Sequence, residues 1–525
     1  MNAIQAGIGV NTVVVRNPAT DKVIGEIACL SAPEINAAVA RAAAAQPRWG
    51  ATPVSQRLQV LRKFQRLLAQ QKDAVASVIT REAGKPKVEA LSTEILVVLD
   101  AVNFLLANVA AFLRPEAVPH ANPVMKLKRG WLLRQPYGVV GIISPWNYPF
   151  SIPSVQTLAA LATGNAVALK PSELTPFSSL EMQRLLYAAG LDRDLLQLIT
   201  GDGAAGAALV NANIQKVIFT GSVATGQRVA QAAALRLLPV VLELGGKDPM
   251  VVLDDVDIEV ASSAAVWGAF MNAGQTCLSV ERCYVHEHIY DVFLKACAEK
   301  ANKLRPGNGA EADTDIGPLI HQRQIKTVQS HVEDALARGA RLLAGGKTLP
   351  QSGPNFFAPT VLADVDHSMR IMREETFGPV LPVCSFKTED EAVALANDSE
   401  FGLAASVWTS NRKRGEALAS RINAGTVMVN DVISCFGISE APHGGVESRG
   451  MGRTHGKFGL EEMVWPKYVD SDRLPGTRKL WWYGYGPQFQ QQMDGFIELL
   501  FSKKLTKRVR GGLKSTGSYL RRKLL

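Results

Sequence analysis

Two stretches of this 525-residue chain carry the small residues that a phosphate cradle needs. "GDGAAG" (Gly201 to Gly206) satisfies G-x-G-x-x-G after the apolar "LLQLIT". No acidic residue follows about 20 positions on, where a dinucleotide site would bind a ribose and this chain reads "ATGQRVAQ". A tight turn before a helix explains that motif more simply. "KVIFTGSVATGQRVAQAA" is the stronger candidate, because a β-branched strand runs straight into Thr220, Gly221, Ser222 and Gly226 and then a helix. Small residues at a helix start let backbone N–H groups and the positive end of the dipole meet an anion. An ordinary capped helix is the rival explanation. The six cysteines, Cys29 to Cys435, have neither the density of a disulfide framework nor paired CxxC spacing. No metal site is expected, and any special cysteine would do chemistry as a thiolate in a reducing compartment.

The elements that must position such residues read as two α/β domains in series. Between Ala32 and Leu113 apolar residues recur at three-to-four spacing, with a Ser31 cap candidate, which predicts a helical layer. Short β-branched runs follow ("YGVVGIIS", "NAVALK", "IQKVIFTGS", "LPVVLELGG", "PMVVL"), separated by helical stretches. This alternation predicts a buried parallel sheet, and it resumes from Ala261 to about Asn430. With 47% hydrophobic and 20% charged residues the chain is of soluble globular type. The N-terminus offers no secretory signal, and no uncharged apolar run reaches the roughly 18 residues of a spanning helix. A cytoplasmic protein is expected.

Three further stretches, in order, carry a resemblance: "ISPWNYPF" (Ile143 to Phe150), "LELGGKDP" (Leu242 to Pro249) and "FMNAGQTCLSVERC" (Phe270 to Cys283). With "ALKPSELTP", "EETFGPVLPV", "GTVMVND" and "PHGGVESRGMGR" they resemble the aldehyde dehydrogenase superfamily over about residues 12 to 470. The resemblance implies an α/β fold of two Rossmann-like domains plus a small β oligomerisation element. Residues 1–117 and 138–245 would form the NAD-binding domain and 246–446 the catalytic domain. Residues 118–137 and 447–470 would be the oligomerisation hairpin and strand, giving a homodimer or homotetramer, and 471–525 a C-terminal extension. It implies Cys277 as nucleophile, Asn147 as oxyanion donor and Glu243 as the base that activates water for hydrolysis of a thioester. Glu243 also argues against transfer of the acyl group to coenzyme A. Cofactor contacts carry over to Trp146, Lys170, Glu173, Gly221, Ser222, Glu375 and Phe377, and the Glu173 carboxylate favours NAD over NADP. Thr454 and His443 depart from the family pattern, which puts transferred substrate assignments in doubt.

The substrate is therefore open: a medium- or long-chain aliphatic aldehyde, a succinate-semialdehyde-type or other small polar aldehyde, or none in a catalytically silent relative. The tail bears on this. Nine of the chain's 57 Lys and Arg lie after Ser502, leaving 48 basic against 48 acidic residues before it. "KLWWYGYG" groups four aromatics, and "GFIELLFSKKLTKRVRGG" would put Phe501, Leu505 and Val509 on one helical stripe beside a basic face. Those are the parts of an interfacial segment on the inner face of an anionic membrane. Packing on a neighbouring subunit or disorder are the alternatives. Nucleic acid fits poorly, because the aromatics precede the charges and do not interleave with them.

Overall fold

The computed structural model describes residues 11–446, 450–474, 479 and 481–521. The expected helical layer is present as Ala32–Ala51, Val54–Gln70, Lys72–Ala83 and Leu96–Phe112. Ser31 opens the first of these with both its backbone N–H and its hydroxyl donating to Glu34. Gly84, at φ 81°, stops the third. One stretch departs from the sequence expectation. Lys87–Phe112 forms a helical run long and apolar enough to cross a membrane. Its Val98, Val102, Leu105 and Val109 are buried in the core of the body, and its buried Glu94 is ion-paired with Lys85 at 2.7 Å. The run is a core helix whose carboxylate has a partner.

The chain divides into two compact units, residues 1–114 with 134–467, and residues 115–133 with 468–525. The larger holds a two-stranded hairpin, Thr12–Arg16 with Val23–Ala28, and two larger sheets. The six-stranded sheet runs in the order Gly450–Met451, Val240–Glu243, Lys216–Thr220, Val139–Ile143, Ala166–Lys170, Leu196–Leu198. It is parallel except for the first pair. Val139–Ile143 and Ala166–Lys170 are buried at every position, as strands covered on both faces must be. From Val139–Ile143 the chain first extends the sheet to one side and then returns to build the other. The crevice at the C-terminal ends of Val139–Ile143 and Lys216–Thr220 is therefore a topological switch point, the position at which open α/β sheets bind ligands.

The second sheet has seven strands in the order Arg341–Ala344, Thr360–Ala363, Val380–Phe386, Val280–His286, Asp248–Val252, Ala404–Trp408, Thr426–Val429. Only the first pair is antiparallel. Asp248 opens a strand five residues after Glu243 closes one, so "LGGK" links the two sheets directly.

Glu116–Val118 pairs antiparallel with Lys128–Pro136, and Val464–Asp472 completes a three-stranded sheet, most of whose residues belong to the smaller unit. "GDGAAG" is a turn, with the Asp202 side chain capping the helix Gly203–Asn211. The single amphipathic helix expected in the tail is broken: Pro487–Phe501 ends, and Leu505–Arg521 starts anew. The two helices pack as a hairpin through Gly495 and Gly511. A Cβ at Gly511 would stand 2.6 Å from the Gly495 carbonyl and 2.7 Å from Leu499 N.

Candidate active site

The residues singled out from sequence fall into two groups. Trp146, Asn147, Gly221, Ser222, Glu243, Cys277, Glu375 and Phe377 all line one cavity of about 250 Å³. Lys170 and Glu173 do not; they lie past the next strand, where Lys170 Nζ donates to Glu173 Oε2 at 2.8 Å. Ser222 caps the helix Val223–Ala234, so the cavity meets a helix N-terminus. Glu375 reaches this cavity because Gly245 has no side chain: a Cβ there would lie 2.4 Å from Glu375 Oε2. The Gly246 N–H donates to Glu375 Oε1 at 3.1 Å. Phe377 packs edge-on to Trp146 with centroids 5.4 Å apart. The loop bearing both is anchored from below, where buried Glu281 accepts from Thr376 N and Phe377 N (2.9 and 2.8 Å) and pairs with Lys247.

Cys277 is half-buried just ahead of the strand Val280–His286. Asn272 and Ala273 before it hold left-handed conformations (φ 53° and 56°), a strained turn of the sort that clusters at functional sites. That turn is locked by amides. Asn147 Nδ2 donates to the Gln275 carbonyl at 3.0 Å, Asn272 Nδ2 donates to Asn147 O and Gln275 O (both 3.1 Å), and Gln275 Nε2 returns to Asn272 O at 3.0 Å. Lys85 Nζ donates to Asn147 O at 2.8 Å. Lys85, Asn272 and Gln275 were missed from sequence; Lys85 lies 62 positions before Asn147, and no spacing connects them.

Burial pushes the Cys277 thiol well above its usual range, and Asp248, Glu243 and Glu375 add to this. Glu243, buried at the end of its strand, is pushed up to about 7 by burial, against the opposing pull of the Thr454 hydroxyl and Arg453. Its Oε1 accepts from Thr454 Oγ1. The Cys277 thiol thus shares a cavity with a carboxyl group whose proton exchange burial shifts toward neutrality.

Cys277 also ends a second cavity, of about 290 Å³, walled by Tyr148, Ile152, Trp267, Met271, Ile433 and Phe436. Among the described residues that line it, none is charged; its polar groups are hydroxyls such as Thr93, Thr276 and Ser434. The thiol stands between a polar cavity and an apolar one. Cys435 is buried and is not among the described residues that line it.

One group of metal-binding residue types exists among the described residues: Asp254, His286 and His288 bring ligand atoms within 4.8 Å of one another. It sits at the far end of the strand that Cys277 precedes, about 20 Å of chain away. Asp254 is already paired with Arg414 Nη1 at 2.9 Å.

The sequence pattern of the aldehyde dehydrogenase family matches residues 6–469. A Mycobacterium ulcerans protein provisionally named succinate-semialdehyde dehydrogenase (NADP+) 2 is 39% identical over 461 residues, 87% of each chain. The 4,4'-diapolycopene aldehyde oxidase of a Methylomonas species is 41% identical over 87% of this chain and 85% of its own. The crystal structure of an NAD-dependent aldehyde dehydrogenase from Sinorhizobium meliloti superposes with a TM-score of 0.86 at 35% identity, covering 92% of this chain and 95% of that one.

Proposed function

This chain belongs to the aldehyde dehydrogenase family, and on that premise we propose that it oxidises a medium- or long-chain aliphatic aldehyde to the carboxylic acid with NAD as acceptor. The observation that carries the substrate class is the cavity of about 290 Å³ ending on Cys277 without a charged group among its described lining residues. A hydrocarbon chain gains about 0.8 kcal/mol per buried CH₂ in such a space, whereas a second carboxylate would be desolvated without a cation to meet it. The name of the Mycobacterium ulcerans relative points to succinate semialdehyde, and that of the Methylomonas relative to an aldehyde of diapolycopene. The cavity favours the second kind of substrate. A catalytically silent relative is disfavoured, since Cys277, Asn147, Glu243 and Glu375 are all present around one cavity.

In the proposed reaction Cys277 Sγ attacks the carbonyl carbon as its proton passes to solvent water, which leaves Glu243 free as the base for hydrolysis. The oxygen that becomes negative is stabilised by the second N–H of Asn147 Nδ2, the first being held by Gln275 O, and by the backbone N–H of Cys277. Such a donor is worth about 3 kcal/mol in the transition state. A bound nicotinamide dinucleotide supplies the hydride acceptor. Glu243 then deprotonates the water that hydrolyses the Cys277 thioester and frees the acid.

The polar cavity suits that dinucleotide: a helix N-terminus at Ser222 for phosphate, Glu375 for a ribose, and the Trp146 and Phe377 rings as walls. NAD is preferred to NADP because Lys170 is already committed to Glu173, whose carboxylate would repel a 2′-phosphate. The three-stranded sheet, with Trp465 and Tyr468 exposed, is read as the contact of a homodimer or homotetramer. The tail is read as seating a cytoplasmic enzyme on the inner face of an anionic membrane.

The test is NADH formation by wild type and Cys277→Ser across hexanal, decanal and succinate semialdehyde. Turnover rising with chain length in wild type and absent from the variant is expected. A preference for succinate semialdehyde would overturn the substrate class, and no turnover with any aldehyde would overturn the enzyme.

A further inference from the structure

Glu243 also meets a buried polar chain that the proposed chemistry does not yet use. Thr454 Oγ1 donates to Glu243 Oε1 and lies 3.0 Å from His455 Nδ1. The Thr454 backbone is clamped to His443 by two hydrogen bonds of 2.8 Å, so its hydroxyl has little freedom to face elsewhere. His455 is 7% exposed, and its backbone sits at φ 63°, ψ 161°, a region that is essentially glycine's own and costs about 1–3 kcal/mol for another residue. A histidine is therefore held in a conformation that a glycine would occupy without strain.

The far side of the imidazole is equally specific. His455 Nε2 has no hydrogen-bond partner, and neither has the buried Oε1 of Gln156. Both residues line a cavity of about 30 Å³ together with Ser439. That is room for a water molecule, which needs polar partners of this kind. Ser439 Oγ in turn donates to the half-buried Asp100 Oδ2 at 2.8 Å. Thr454 and His455 both line this third cavity, and neither Glu243 nor Cys277 is among its described lining residues.

We propose that Thr454 and His455 form the route by which the proton that Glu243 takes from water leaves the site. The inference rests on Glu243 acting as base in the oxidation proposed above. Thr454 lines neither the apolar cavity nor the polar one, so its contact with Glu243 stays available when the acyl group fills the first and the dinucleotide the second. In the transfer, the Glu243 carboxyl O–H bond breaks and its proton joins Thr454 Oγ1. The hydroxyl proton of Thr454 moves to His455 Nδ1, and the proton on Nε2 passes to the cavity water. A carboxylate, a hydroxyl and a neutral imidazole with its proton on Nδ1 remain, and a turn of the ring that brings this N–H to the cavity water, followed by exchange there, restores the starting tautomer. No oxidant or further reactant is required.

The experiment uses the full-length enzyme with saturating NAD and decanal, following the first-turnover NADH burst and the steady state after it. Thr454→Val and His455→Asn are expected to slow the steady state about 10- to 100-fold while leaving the burst intact, and Thr454→Ser to stay within about threefold of wild type. Asparagine tolerates a positive φ and keeps a donor toward Thr454, but cannot pass a proton on. Wild-type turnover in His455→Asn would thus reduce the pair to positioning and overturn the relay, as would equal losses in Thr454→Ser and Thr454→Val. His455→Gly, freed of backbone strain, should reproduce the loss with a raised thermal midpoint, and wild-type turnover there would overturn the relay too. Normal turnover in Glu243→Gln would overturn the base and the relay with it, whereas an arrested Glu243→Gln beside an unaffected Thr454→Val overturns the relay alone.

Discussion

Glu243 must be a carboxylate when water attacks the thioester, yet burial holds its proton on up to about pH 7. The sign follows from that. The active base is present above the raised value and is lost as pH falls through it, so turnover on a short aldehyde should drop about tenfold for each unit below 7. The kcat profile of wild type checks this, with the first-turnover burst persisting at low pH where hydrolysis stalls. A flat profile down to pH 5 would remove Glu243 from the rate-limiting step. At this scale the family resemblance picked out Asn147, Glu243 and Cys277, and the fold brings all three to the lining of one cavity. The sequence was silent about what holds them. Lys85 reaches Asn147 O from the loop after the helix Lys72–Ala83 and is balanced by Glu94, a buried ion pair between residues nine positions apart in no motif. Only the fold shows why a lysine with no solvent access is tolerated there.

The elements divide along a similar line. Parallel strands buried on both faces must be apolar and β-branched, so "YGVVGIIS" and "IQKVIFTGS" announced themselves. Their order in the sheet, and so the switch point at the ends of Val139–Ile143 and Lys216–Thr220, depends on which edge each helix crosses and leaves no periodicity to read. The tail misled for another reason. Phe501, Leu505 and Val509 do keep helical spacing, but Gly495 and Gly511 make a close crossing of two helices more favourable than one long stripe. Gly511→Leu should therefore break the hairpin, because its side chain meets backbone at 2.6 Å with no room to yield, a cost of at least about 1–3 kcal/mol. Faster amide exchange over residues 487–521 is expected, with oxidation of soluble aldehydes unchanged. Unaltered exchange would mean that the helices do not cross at these glycines.

For the molecule as a whole, the decisive asymmetry is electrical. Everything before Ser502 is neutral in formal charge, and the nine charges after it make the net +9. In the hairpin Lys503, Lys504, Lys507, Arg508, Arg510 and Lys514 share the segment with apolar side chains that face solvent: Phe501 is 77% exposed, Leu505 74% and Leu513 73%. Ahead of them Tyr483 and Tyr485 are exposed with ring centroids 5.4 Å apart, an amphipathic pair suited to the headgroup level. Each basic residue near an anionic leaflet contributes roughly 1 kcal/mol, so four of the nine engaged would raise membrane partitioning about a thousandfold before any apolar insertion. The same attraction must fade as salt shortens the Debye length from about 10 Å at 0.1 M to about 3 Å at 1 M, whereas insertion of Phe501 or Leu505 would not. The full chain is accordingly expected to float with vesicles containing phosphatidylserine at 0.1 M salt and to be partly released at 1 M. A chain ending at Arg473, which keeps the strand Val464–Asp472, should remain unbound while oxidising hexanal as fast as the full chain. If an aldehyde dissolved in those vesicles is also oxidised faster by the full chain than by the truncated one, the tail shares in substrate capture. If neither protein floats, the basic hairpin has no membrane role, and the apolar cavity alone must account for substrate choice.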